Sequence, residues 1–131
     1  NEIISDYVEI ANAVSVNGGS GILQSIHLLD DGDQGAAMDL VFATADTDLG
    51  TLNAVISDDA AGAAGILGYV SITSYFDGVA WQMSTKTNIG LVIKAAASTR
   101  SIYVAAVNRS GGNVDYVAVD DLHLRLGIVK D

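Results

Sequence analysis

Apolar and polar positions alternate most cleanly in residues 120–129, DDLHLRLGIV, where Leu122, Leu124, Leu126 and Ile128 take one parity and His123, Arg125 and Gly127 the other. Successive strand side chains point to opposite faces. This period of two therefore predicts a strand with one buried face and one face against water or a partner. Residues 21–30 are its expected counterpart: Ile22, Ile26 and Leu28 alternate with Leu23, Ser25 and His27, and Gln24 is a polar break on the inner side. Met38, Leu40 and Phe42 alternate with Asp39, Val41 and Ala43, which predicts a third strand.

The rest of the chain reads as strands needed to cover these. Residues 1–16 suit an extended arm running into a first strand, and residues 17–131 form the main domain, within one domain overall. The Gly-rich turn at 17–21 and the Asp-Gly turn at 30–35 bracket the second strand, because glycine permits positive φ. Residues 44–51 read as a polar loop. Ser57 is a candidate helix cap, with Asp58 and Asp59 at the favourable end of the dipole and about two turns over residues 60–67. Gly62 and Gly65 each weaken that helix by about 1 kcal/mol relative to Ala, so only packing can hold it.

Residues 69–76 are rich in β-branched and aromatic side chains, and Asp77-Gly78 predicts a two-residue hairpin turn into 79–83. Further strands are expected at 89–95, 102–108 and 114–119, before the closing one. Turn signals spaced by about 8–12 residues, with one short helix, predict an all-β fold. The expected form is a jelly-roll-like β-sandwich or barrel of about eight strands.

Composition narrows the function. At 131 residues the chain can bury about two-thirds of its unfolded surface without disulfide or metal staples. Cysteine is absent, which excludes disulfide scaffolds and zinc–thiolate sites, and proline is absent too. The apolar run at 60–70 is broken by three glycines and is too short to span a bilayer, which takes about 20 residues. The first residue is Asn, which reads as a trimmed or processed start, and no basic-then-apolar signal segment opens the chain.

A net charge of −10 makes nucleic acid an improbable partner. All six basic residues follow residue 85, whereas twelve of the sixteen acids precede it. That asymmetry is either chance in a chain with few cations or a molecule whose faces differ in sign, suited to docking. Charged residues are 17% against a usual ~25%, and mean hydropathy is +0.36. Either the core is unusually Ala-rich or a partner covers apolar surface, and the second is favoured.

No catalytic constellation stands out. Asp30, Asp31 and Asp33 sit in a Gly-containing turn but lack the EF-hand glycine and glutamate, and Asp46 and Asp48 do no better, so no metal is expected. His27 and His123 sit on outward faces of two strands that would be neighbours, more in keeping with surface groups than with a metal or pH site. There is no G-x-S-x-G elbow, no cysteine nucleophile and no phosphate loop. An enzyme is not expected, nor a cofactor. Trp81 is either a core aromatic, the favoured reading, or a sugar-stacking platform or interface anchor with Tyr75 and Phe76. Asn108-Arg109-Ser110 matches a glycosylation sequon.

Three stretches carry a resemblance: residues 15–42 (SVNGGSGILQSIHLLDDGDQGAAMDLVF), 88–96 (NIGLVIKAA) and 122–131 (LHLRLGIVKD). In length, strand pattern and turn placement the chain resembles the small all-β capsid decoration, or cement, proteins of tailed bacteriophages. The resemblance implies a virion structural protein on the outer surface of the capsid. Such a protein would act as a homotrimer, clamp adjacent major capsid subunits and stabilise the expanded head, with no membrane or nucleic-acid partner. The residues themselves add expected contacts: Lys94, Arg109, His123 and Arg125 as polar ones, and Ile3, Ile4 and Tyr7 of the arm as apolar ones. The alternative is a carbohydrate-binding β-sandwich module on a tail or head fibre, using Trp81 and nearby acids, with or without calcium.

Overall fold

In a computed structural model the chain is all-β, and among the described residues nine strands form two antiparallel sheets. Residues 2–57, 60–116, 118 and 120–131 are described, with the backbone alone for Ala60 and Ala61. The strands are β1 (Ile3–Ile10), β2 (Ser20–Asp30), β3 (Met38–Ala43), β4 (Ile66–Ile72), β5 (Phe76–Asp77), β6 (Gln82–Lys86), β7 (Leu91–Lys94), β8 (Ile102–Asn108) and β9 (Leu122–Lys130). One sheet runs β1-β8-β3-β4. In the other, β9 pairs one side of β2 from Gly21 to Asp30, while β6 and β7 lie end to end along its other side and β5 flanks β6.

The two most regular stretches do pair, and Leu122, Leu124, Leu126 and Ile128 pack against the core as their parity requires. Residues 21–30 differ from the expected phase. Leu23 is fully buried, whereas Ile22 is exposed. The register skips one residue between Leu23 and Ser25, so Gln24 is an extra residue on β2. A bulge of this kind reverses which parity faces inward. Inward residues are therefore Gly21 and Leu23 before it, and Ile26, Leu28 and Asp30 after it.

The core lies between the sheets. Met38, Leu40 and Phe42 of β3 and Ile102, Val104 and Ala106 of β8 meet Leu23, Ile26 and Leu28 of β2 and Ile93 of β7. Truncating a side chain such as Phe42, which is fully buried, removes its transfer energy and leaves a cavity, at a cost of about 3–5 kcal/mol.

β3 is buried on both faces, beyond what its alternation predicts. Its second face joins Ile3, Tyr7, Leu49, Ala105 and Val107 in a smaller cluster. The expected polar loop at 44–51 supplies Leu49 to that cluster, and Ile56 beyond it packs there too. Backbone hydrogen bonds from Ile3 N to Ala54 O (3.0 Å) and from Asn53 N to Ile3 O (3.0 Å) tie the 44–57 segment to β1. That segment thus covers part of the second face of the four-stranded sheet, leaving Tyr69 of β4 exposed.

Other expectations need correction. The arm is not separate: β1 pairs with β8 from Ile3–Val107 to Ile10–Ile102. The helix is a single turn, Ala60–Ala63, because Ile66 and Leu67 pair into β4 beside β3, and Asp58 and Asp59 lie outside the described residues. Asp77-Gly78 does mark a hairpin, but its loop is Gly78-Val79-Ala80-Trp81, closed by Gly78 N to Trp81 O at 2.8 Å. The expected strand at 114–119 is irregular where it is described; Val117 and Val119 lie outside the described residues. No described helix is long and apolar enough to cross a membrane.

Candidate docking face

The five-stranded sheet differs from its partner because its outer face is bare. Directly opposed residues of an antiparallel pair share a face, so the registers give the surface row by row. One row runs Phe76, Met83, Leu29, His123 across β5, β6, β2 and β9. The next runs Thr85, His27, Arg125, with His27 Nδ1 3.4 Å from Thr85 Oγ1. Ser25 faces Gly127. A third row runs Val92, Ile22, Val129, and Lys94 opposite Ser20 ends the face.

Two apolar rows therefore flank a polar centre. Phe76, Val92 and Val129 are each more than half exposed. At the hairpin tip Trp81 stacks on Phe76, with centroids 6.0 Å apart and rings inclined by 28°, beside a fully exposed Val79. The expectation of a core tryptophan is corrected: the four-residue loop carries the indole out of the sheet. Grouped exposed apolar side chains on a sheet face mark an interaction surface.

The expected contact residues divide. Lys94, His123 and Arg125 lie on this face, at one end, at the other end and in the middle. Arg109 lies on the other sheet, with Nε 2.6 Å from Asp39 Oδ2, so it stabilises that sheet internally. Ile3 and Tyr7 are buried under the 44–57 segment, and Ile4 packs against the main core. Ile3 and Tyr7 are corrected from partner contacts to interior residues, because strand pairing turns them inward, whereas Ile4 is half-buried beside a cleft.

His27 and His123 are diagonal neighbours on one face, and among the described residues no group of three metal-ligating side chains occurs. The sequon is closed to modification: Asn108 is buried, its Nδ2 donating to Gly112 O at 2.7 Å and its Oδ1 accepting from Ser110 N at 2.8 Å.

One polar knot was not visible in the pattern. Asp30, the last residue of β2, is fully buried, and its Oδ2 accepts from Gly35 N (2.7 Å), Gln34 N (3.1 Å) and Tyr116 Oη (2.9 Å). Tyr75 donates to Ala36 O at 2.7 Å. Burial first, and the nearby Asp30 carboxylate second, push both phenols well above the ordinary tyrosine range. The knot pins the turn after β2 to the 109–121 loop. Only an Asp at the end of a strand hinted at it.

Known proteins add no name to this face. No family model matches the chain, and no curated protein or solved structure matches it significantly.

Proposed function

We propose that this chain works by adhesion, as a phage virion structural protein that binds the exterior of the capsid through the outer face of its five-stranded sheet and clamps adjacent major capsid subunits. The observation that carries the adhesive part is the outer face of the five-stranded sheet, which no segment of the chain covers as 44–57 partly covers the other sheet, and which presents two apolar rows with Lys94, His123 and Arg125 among them. The capsid as partner is what the sequence resemblance supports. Weak contacts repeated over a closed lattice add through linkage, so a modest face suffices to brace a shell.

The test compares occupancy on purified tailed-phage heads for Phe76→Ser, Val92→Ser plus Val129→Ser, and Arg125→Glu. These positions are exposed, so thermal stability should stay within about 0.5 kcal/mol of the parent. Losing two buried valines at an interface removes about 2–3 kcal/mol, a fall of roughly 30- to 150-fold in affinity. Full occupancy by all three variants would remove this face from consideration.

The stacked, exposed Phe76–Trp81 pair favours a second reading, a carbohydrate-binding module, since sugar rings pack on aromatic faces. Glycan-array binding that Trp81→Ala abolishes, with no binding to heads, would put this reading first.

A further inference from the structure

We infer that β9 is a self-pairing edge: two copies join antiparallel along Leu122–Lys130 about a twofold axis, merging their five-stranded sheets into one of ten strands. This goes beyond the docking face and does not depend on the capsid as partner. A twofold pair would stand in place of the threefold assembly that the resemblance implies.

The first observation is an undefended edge. β9 is nine residues long, and β2 occupies one of its sides along its whole length. On its other side no backbone group pairs among the described residues. Exposed edges are normally blunted by shortness, charged side chains, proline, bulges or inward charge. β9 has no proline, its inward residues Leu122, Leu124, Leu126 and Ile128 are apolar, and the irregular residue in its ladder, Gln24, sits on β2; its only charges are Arg125 on the outer face and Lys130 at its end. The other edges are shorter or irregular: β1 has two register shifts, β5 is two residues long, β7 is four residues long, and β4 has a register shift and Gly68 at φ +154°.

The second observation is an apolar cleft of about 620 Å³ that opens along this same side of the molecule. Ile4 and Ile10 of β1 and Leu122 and Leu124 of β9 line it together with Leu28 and Tyr116, and Ser5 and Asp6 add polar atoms. A strand added to β9 would cover it while satisfying the open ladder.

The occupant follows from the residues of β9. With Leu126 on the twofold axis all nine residues pair. Leu124 then meets the partner's Ile128, His123 meets the partner's Val129, and Arg125 meets the partner's Gly127, which has no side chain to oppose it. Lys130 comes opposite the partner's Leu122, beside the partner's Asp120 and Asp121, so opposite charges meet at both ends. Moving Arg125 onto the axis would instead set two guanidinium groups face to face, which is destabilising. The Leu126 register also aligns the row Phe76, Met83, Leu29, His123 with the partner's Val129, the partner's Ile22 and the partner's Val92. The apolar rows of the docking face thus continue from one copy into the next.

The chain has no cysteine, which makes the test clean. His123→Cys plus Val129→Cys in one chain places each new thiol opposite one on the second copy, within disulfide reach. Each single variant leaves its two thiols about 20 Å apart, six residues along the strand. The expected result is a solution mass twice the 13.5 kDa of the chain for the parent, and cross-linked dimer under mild oxidation for the double variant alone. A parent that stays monomeric to about 1 mM overturns the inference. So does a dimer that the double variant fails to trap, a dimer trapped equally by either single variant, or a monomer that pairs only with an added peptide. Binding to phage heads is measured separately, so loss of the dimer and loss of capsid binding are distinguishable outcomes.

Discussion

Replacing Asp30 by Ala tests the polar knot that ties the end of β2 to the 109–121 loop. The substitution strands three donors at once: Gly35 N, Gln34 N and Tyr116 Oη. A buried donor without an acceptor costs about 1–3 kcal/mol. Two effects reduce the sum. Gln34 is exposed, and Gly35 and Tyr116 are only part-buried, so water recovers some of these bonds. Removing the carboxylate also removes its Oδ1, which is buried with no hydrogen-bond partner. The expected net loss is about 2–4 kcal/mol, a large share of the roughly 5–15 kcal/mol by which a domain is stable. For 131 residues, an unfolding entropy of about 2.1 cal/mol/K per residue converts this to a Tm lower by roughly 7–15 °C.

Asp30→Asn keeps one oxygen for the same donors and places its amide where Oδ1 accepts nothing, so it should cost about 1 kcal/mol. Urea unfolding and calorimetry of both variants check the ordering. An Ala variant within about 0.5 kcal/mol of the parent, or an Asn variant less stable than the Ala one, would refute the reasoning.

Because Tyr75 and Tyr116 are held above the ordinary phenol pKa, the unfolded chain ionises first as pH rises. Their contribution is fully present below pH about 10 and is lost progressively above it, so Tm should fall with pH in alkaline melts, and less steeply in Tyr75→Phe plus Tyr116→Phe; equal slopes would contradict this. Arg109→Met leaves the nearly buried Asp39 with the hydroxyl of Ser71 as its remaining described partner. Since the arginine is itself partly exposed, the expected cost is about 1–2 kcal/mol in urea unfolding, against less than about 0.5 for Lys94→Met on the bare face. Equal costs would reject the division of these two cations between sheets.

Much of the fold was legible along the chain because a half-buried strand writes its two faces as alternating residue types. That signal is strongest in β9, where four apolar residues share one parity; Ile102–Asn108 is a strand as expected but is buried on both faces. It failed where local backbone geometry intervenes. The extra residue Gln24 inverts the phase of β2 without any change in composition, and the four-residue hairpin loop moved Trp81 from an expected strand to an exposed tip. It also failed for β3, since the second cover over that strand comes from Leu49 and Ile56, which are isolated in a polar stretch.

The sequence by itself determined the class of molecule: a cysteine-free, acidic, all-β chain with its cations after residue 85. Those properties are sums over the chain or repeat at short range, so they can be read without knowing what lies next to what. Only the tertiary structure decided which surface is free. Arg109 and Arg125 are equivalent in sequence, yet one closes an ion pair on the partly covered sheet and the other stands on the bare one. Ile3 and Val129 are both apolar residues near a terminus, yet one is interior and the other exposed. Exposure depends on contacts between residues far apart in the chain, and no local pattern records them.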